Sequence, residues 1–232
     1  MNGKLYGIGV GPGDSELITL KALRIIKETD IIAVPGENPR EAAAYKIAEG
    51  AWKEIDNKNV IAINMPMTKD AVILKQNHQK GADRIEQYLK QGKSVAFLTL
   101  GDPTIYSTYM YLHKIIAEKG YETEIISGIT SFCATAARLN MDLSEMSEAI
   151  HIIPATYNAD KMDEVMAFDG TKVLMKTGKK MNKIKDGIIK SGNKAVMVEN
   201  CGMPNEKVYR SVEEIPDNAG YYSLIIVKEK KQ

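Results

Sequence analysis

The chain has 232 residues, 44% of them hydrophobic and 26% charged, enough apolar material for one large core or two modest ones, and this excludes intrinsic disorder. Lys and Arg number 31 against 30 Asp and Glu, a formal net charge of +1, so no overall field draws the chain to nucleic acid or to an anionic membrane, and an anionic ligand must meet a local basic patch. The two cysteines, Cys133 and Cys201, form no CxxC pair, which removes thioredoxin-like chemistry and Cys-rich zinc sites and suits a reducing cytoplasm.

The opening MNGKLYGIGV runs straight into strand-like sequence without a long apolar signal region, and no apolar run approaches membrane-spanning length, so a cytoplasmic protein with no membrane partner is expected. Short apolar runs follow at Leu5 to Val10, Ile31 to Val34, Val60 to Ile63, Val95 to Leu100 and Thr123 to Ile126. They lack clean alternation, which predicts a sheet covered on both faces. Between them Leu17, Leu20, Leu23 and Ile26 keep helical spacing, as do Ile105, Tyr109, Leu112 and Ile116, with Gly120 placed to stop the second helix. The alternation predicts a parallel α/β domain. Further runs at Ile150 to Ile153, Val173 to Met175, Ala195 to Val198 and Tyr222 to Val227, with weaker helices between them, predict a smaller α/β domain with a mixed sheet. The boundary is expected near Gly128, giving domains 1–128 and 129–232 with the active-site cleft between them, and the KEKKQ tail is expected to be solvated.

Several familiar sites fail on inspection. Gly7, Gly9, Gly11 and Gly13 invite a dinucleotide-binding reading, but Pro12 has no N–H for a pyrophosphate and Asp14 would repel one. Gly92-Lys93-Ser94 lacks the first glycine of a phosphate loop, because Gln87 stands there. His78, His113 and His151 do not form HExxH, and no GxSxG elbow carries a nucleophilic serine, so no metal site is expected. His78 and His113 remain candidates for meeting an acidic substrate.

Three loops sit just beyond predicted strands, where open α/β sheets place ligands: GVGPGD (9–14), LGDPTIY (100–106) and SGITS (127–131). Gly101 permits close approach of a ligand to the backbone, and Asp102 is the only acid of its loop able to meet a cation. Asp102 followed by Pro103 is also ordinary helix-start chemistry, as is Asp14 after its glycine-rich turn.

Together these loops resemble the tetrapyrrole methylase family, and the likeness runs through nearly the whole chain. The resemblance implies S-adenosylmethionine as methyl donor, held between two α/β domains. Carried over by position, the donor contacts are Pro12, Leu100, Gly101, Asp102, Ile105, Thr130 and Ser131, with Met175 and Thr177 from LMKTG and Cys201 and Gly202 from VENCG. The segments NMPMTKD (64–70), FLTLGDPTIYSTYMYL (97–112) and ITSFCATAARL (129–139) resemble the branch that methylates carbon 20 of precorrin-2 or of cobalt-factor II in cobalamin biosynthesis. Ser127, where many members have proline, departs from the pattern. Methylation at another position, as on uroporphyrinogen III, and a catalytically silent donor-binding module are the alternatives.

The implied substrate is a small tetrapyrrole bearing many carboxylates, so Lys69, Lys75, Lys80, Arg84, Arg138 and Lys176 are candidate partners. Tyr6, Tyr106, Tyr109 and Met67 are candidates for its flat face. Asp102, Tyr106 and His113 are candidates to accept the proton that leaves the methylated carbon. The family likeness also implies a homodimer.

Overall fold

The structure, a computed structural model, describes residues 2–66, 68 and 70–229. Met67 and Lys69, both expected substrate contacts, lie outside the described residues. The chain divides into two compact units, residues 1–130 and 131–232. No described helix is long and apolar enough to cross a membrane.

The first unit contains β1 (Leu5–Gly9), α1 (Leu20–Glu28), β2 (Ile31–Pro35), α2 (Ala43–Ala51), β3 (Asn59–Ile63), α3 (Ala71–Leu89), β4 (Val95–Thr99), α4 (Tyr109–Glu118) and β5 (Thr123–Ile126). The five strands form one parallel sheet in the order β3-β2-β4-β1-β5. Successive residues of each strand enter opposite cores. Ile8, Ile32, Val34 and Leu98 pack with Ile26 and Tyr45 on one face, while Leu5, Ile31, Ile63, Val95 and Phe97 pack with Ile85, Tyr109 and Leu112 on the other. Continuous apolar runs are therefore required, since both faces are covered, and each aliphatic side chain so buried contributes about 1.5–3 kcal/mol.

Two predicted helices begin later than their apolar spacing implied. The Thr19 hydroxyl accepts the Ala22 N–H at 3.1 Å and caps α1. The inward face is therefore Ala22, Ile25 and Ile26, while Leu20 is 88% exposed. In the fourth helix Ile105 belongs to the preceding turn. The backbone at Tyr106 is left-handed (φ 52°), which breaks any helix there, and α4 starts at Tyr109 with the Ser107 hydroxyl accepting its N–H at 3.1 Å. Tyr109, Leu112 and Ile116 are then fully buried, and Gly120 (φ 83°) ends the segment as expected.

The second unit contains α5 (Ser131–Leu139), β6 (Ile150–Pro154), α6 (Ala155–Asn158), α7 (Met162–Met166), β7 (Thr171–Met175), α8 (Met181–Ser191), β8 (Lys194–Glu199), β9 (Lys207–Tyr209) and β10 (Ser223–Lys228). Its sheet has the order β6-β7-β10-β8-β9, with β6 parallel to β7 and every other pairing antiparallel, a mixed sheet as predicted. The short edge strand β9 escaped prediction because three residues, Lys-Val-Tyr, carry no periodic signal. Lys172, fully buried on β7, pairs with Glu229 at 3.0 Å, and Glu229 also accepts the Gly170 N–H, so the end of the last strand is tied to its neighbour.

Gly7 lies directly over Tyr109, where a methyl group would stand 2.0 Å from the ring. Gly7→Ala should cost ~1–3 kcal/mol by overpacking, read as a fall of several degrees in Tm. Burial also holds the imidazoles of His78, stacked on Tyr111 at 4.3 Å, and His113 below their ordinary value. The unfolded chain then binds more protons than the folded one, so this stabilisation is complete above the unfolded pKa of about 6.5 and is lost as pH falls through it. Denaturant midpoints measured from about pH 7.5 down to about 5.5 should decline, and less steeply in His78→Phe.

Candidate functional site

In the first sheet β1 lies between β4 and β5. All three strands run in parallel, so the loops that leave their carboxyl ends are neighbours: 10–14, 100–106 and 127–130. They touch through backbone. Gly11 and Gly101 form an antiparallel bridge, with Gly101 donating to the Gly11 carbonyl at 2.7 Å and Gly11 donating back at 3.3 Å. A Cβ on Gly9 would stand 2.5 Å from the Gly128 nitrogen, and one on Gly128 would stand 2.2 Å from the Gly101 carbonyl oxygen. Only glycine permits this crossing. Gly101 itself is left-handed (φ 71°), and a Cβ there would meet only the Ile129 carbonyl at 3.9 Å, so its outer face is open to a ligand.

Asp102 is 7% exposed and its carboxylate joins two of the loops. One oxygen accepts the Thr104 N–H at 2.8 Å and the Thr104 hydroxyl at 2.5 Å, and the other accepts the Gly128 N–H at 3.0 Å. Burial pushes its pKa up, but donors from Thr104, Gly128 and the Ser127 hydroxyl outweigh that and hold it below the usual carboxylate value. No helix begins at Pro103, so the helix-cap expectation for Asp102 fails: its side chain closes a tight turn instead. Asp14 does cap, accepting the Glu16 N–H at 2.9 Å at the head of a single 3-10 turn.

Pro12 is buried, while Leu100 and Ile105 are half-buried beside the same crossing. The Thr130 hydroxyl oxygen is buried and meets no partner, and neither does that of fully buried Thr177 in the second unit. Orphaned buried hydroxyls are rare in folded chains, and a third is that of Thr135, fully buried in α5.

In the second unit the carboxyl ends of β6, β7 and β8 and the start of β10 lie on one edge of the sheet. That edge carries Met175 at the end of β7, Lys176 and Thr177 just after it, and Cys201 and Gly202 after β8. Lys176 (φ 57°) and Asn200 (φ 54°) are left-handed, so both loops turn sharply there. Burial lowers the Lys176 ammonium and raises the Cys201 thiol. Exposed Tyr157, Tyr221 and Tyr222 stand on the same edge, with the last two rings 5.3 Å apart; in the sequence only Tyr222 was marked, as the start of an apolar run.

Other expected residues are engaged elsewhere. Tyr109 is fully buried beneath Gly7, with its hydroxyl 3.4 Å from the Glu124 carbonyl, and has no surface to offer a substrate. His113 lies 3.2 Å from the same hydroxyl, near the start of β5 and so at the opposite end of that strand from the loops. Tyr6 is half-buried against one core, with the Lys4 ammonium 5.1 Å from its ring. Arg84 donates to the Ala62 carbonyl at 2.9 Å. Arg138 pairs with Glu206, which also accepts the Gly202 N–H at 2.8 Å. Glu206 thus secures the loop carrying Gly202, and nothing in the sequence pattern singled it out. Tyr106 is 47% exposed in its left-handed turn. Among the described residues no group of three or more His, Cys, Asp or Glu side chains is arranged to hold a metal ion.

The chain matches the family described as Tetrapyrrole (Corrin/Porphyrin) Methylases over residues 4–216. It is 38% identical to a protein of Methanocaldococcus jannaschii named probable cobalt-precorrin-2 C(20)-methyltransferase, over 99% of this chain and 97% of that one. It is 29% identical to a precorrin-2 C(20)-methyltransferase of Sinorhizobium sp, over 97% and 95% of the two chains. In fold it is similar to a uroporphyrin-III C-methyl transferase of Thermus thermophilus solved in complex with S-adenosyl homocysteine, with a TM-score of 0.71, 18% identity and 98% of each chain covered.

Two glycine substitutions separate the packing role from the open face. Gly128→Ala drives a methyl into backbone and should cost ~3 kcal/mol or more, whereas Gly101→Ala meets only the left-handed backbone penalty of ~1–2 kcal/mol. Equal losses of Tm in the two variants would contradict the crossing described here.

Proposed function

Because the chain belongs to the tetrapyrrole methylase family, we propose that it transfers the methyl group of S-adenosylmethionine to carbon 20 of precorrin-2 or of its cobalt-bearing counterpart, cobalt-factor II, in cobalamin biosynthesis. The acceptor reading rests on full-length identity to relatives named for that reaction. The higher identity to the archaeal protein favours the cobalt-bearing macrocycle. The donor reading is carried by one observation, the meeting of three loops around the open face of Gly101.

The residues fit the donor. Gly101 allows a ligand to lie against the backbone, with Pro12, Leu100, Ile105 and Ser131 as its expected neighbours. Thr130 in the first unit and Thr177 in the second each hold a buried hydroxyl without a partner, at positions that the family likeness assigns to the donor. Met175, Cys201 and Gly202 share the strand edge that carries Thr177.

When bound, the sulfonium supplies an already activated methyl group. The chain's task is then to orient and desolvate, with no nucleophilic side chain required. Tyr106, 47% exposed on the middle loop, is that loop's candidate contact to the substrate. A substrate carboxylate beside Lys176 would offset the burial that depresses its ammonium. We place the protein in the cytoplasm as a homodimer, following the family likeness.

The decisive experiment is incubation with labelled S-adenosylmethionine and either precorrin-2 or cobalt-factor II, then location of the new methyl group. Label at carbon 20 is expected, and label at another carbon would overturn the acceptor assignment. S-adenosylhomocysteine should raise Tm while NAD does not. Thr130→Val and Thr177→Val should leave the free protein as stable or slightly more stable, since an unpaired buried hydroxyl is removed. Each should weaken S-adenosylhomocysteine about 3- to 10-fold in calorimetry, the loss of one hydrogen bond.

A further inference from the structure

Within the three-loop site Asp102 is the acid best placed, by sequence, to meet a cationic donor or to take a proton. Its surroundings give it different work. A carboxylate has about four lone-pair positions, and here the Thr104 amide and hydroxyl and the Gly128 amide occupy three of them. The side chain is almost wholly buried. It spans from the middle loop to the third loop, beside the glycine crossing that brings them together.

We infer that Asp102 is a positioning residue: its carboxylate is spent holding the 127–130 turn against the 101–105 turn, and it neither pairs with the sulfonium nor accepts the departing proton. The turn it holds carries Thr130, whose buried hydroxyl is left without a partner, and Ile129, whose carbonyl stands beside the open face of Gly101.

The inference rests on reading these loops as the donor site, and its test separates the two. Asp102→Asn keeps the shape but turns one acceptor oxygen into an NH2 group, which must face either Gly128 N–H or the Thr104 donors and repel them. Amide hydrogen exchange over residues 126–131 in the ligand-free protein should then speed up about 10-fold or more, the loss of a charge-assisted hydrogen bond. Unchanged exchange in that segment overturns the clamp whatever the protein binds. Calorimetry follows with S-adenosylmethionine and S-adenosylhomocysteine, which differ in the sulfonium charge. A positioning role weakens both by the same factor, roughly 10- to 100-fold, and leaves the limbs of the kcat pH profile in place.

A direct charge partner would weaken the sulfonium form far more than the neutral thioether. A proton acceptor would lose kcat and its acidic limb with homocysteine-form affinity intact. Either result overturns the inference. Thr104→Val, which removes a single hydroxyl donor at an exposed residue, should reproduce the exchange and affinity changes to a smaller degree, and covers the case in which Asp102→Asn folds poorly. Wild-type protein that binds neither compound would refute the donor reading, while the exchange measurement still judges the clamp.

Discussion

Three backbone segments cross at one point in the first unit, and they do so because none of the three residues there has a side chain. Parallel neighbours lie about 4.8 Å apart, so loops leaving β4, β1 and β5 must share a small space. Gly9, Gly101 and Gly128 let them interlock, and the paired hydrogen bonds of Gly11 and Gly101 fix the contact. The remainder follows from that crossing. Asp102 is buried because it lies beneath it, the Gly128 N–H is available to that carboxylate, and the far side of Gly101 is left open.

The site contains little of the machinery that hydrolases need. Its distinguishing features in the first unit are a glycine whose outer face meets only the Ile129 carbonyl at 3.9 Å and a buried Thr130 hydroxyl with no partner among the described residues. A reaction whose activation travels with the methyl donor asks for this kind of place, where position and dryness matter more than reactive side chains. The charged residues near the loops are consistent with that division of labour. Arg138 and Glu206 brace a loop of the second unit, and Asp102 sits among donors of the first.

Much of the fold was legible because parallel strands buried on both faces must be apolar throughout. Nine of the ten strands among the described residues announce themselves as apolar runs, and the change from an all-parallel to a mixed sheet follows their spacing. Helix starts were less legible. Leu17 and Leu20 continue the apolar period of α1 yet lie outside or exposed, since the capping hydroxyl of Thr19 decides where the helix begins. The functional reading of single residues was poorest where burial decides. Tyr109 and His113 have the chemistry of site residues, but α4 turns them under the sheet and toward the start of β5.

By itself the amino-acid sequence determined the class of fold, the three loops and the family to which they belong, because glycine, proline and apolar period act locally and survive without knowledge of the partners. It left open which strands are neighbours. The tertiary structure decided that β1 lies between β4 and β5, which turns three separate turns into one site and converts Asp102 from a helix cap into a bridge. Strand order and burial are set by contacts between residues far apart in the chain, such as Asp102 with Gly128, and no local pattern encodes them.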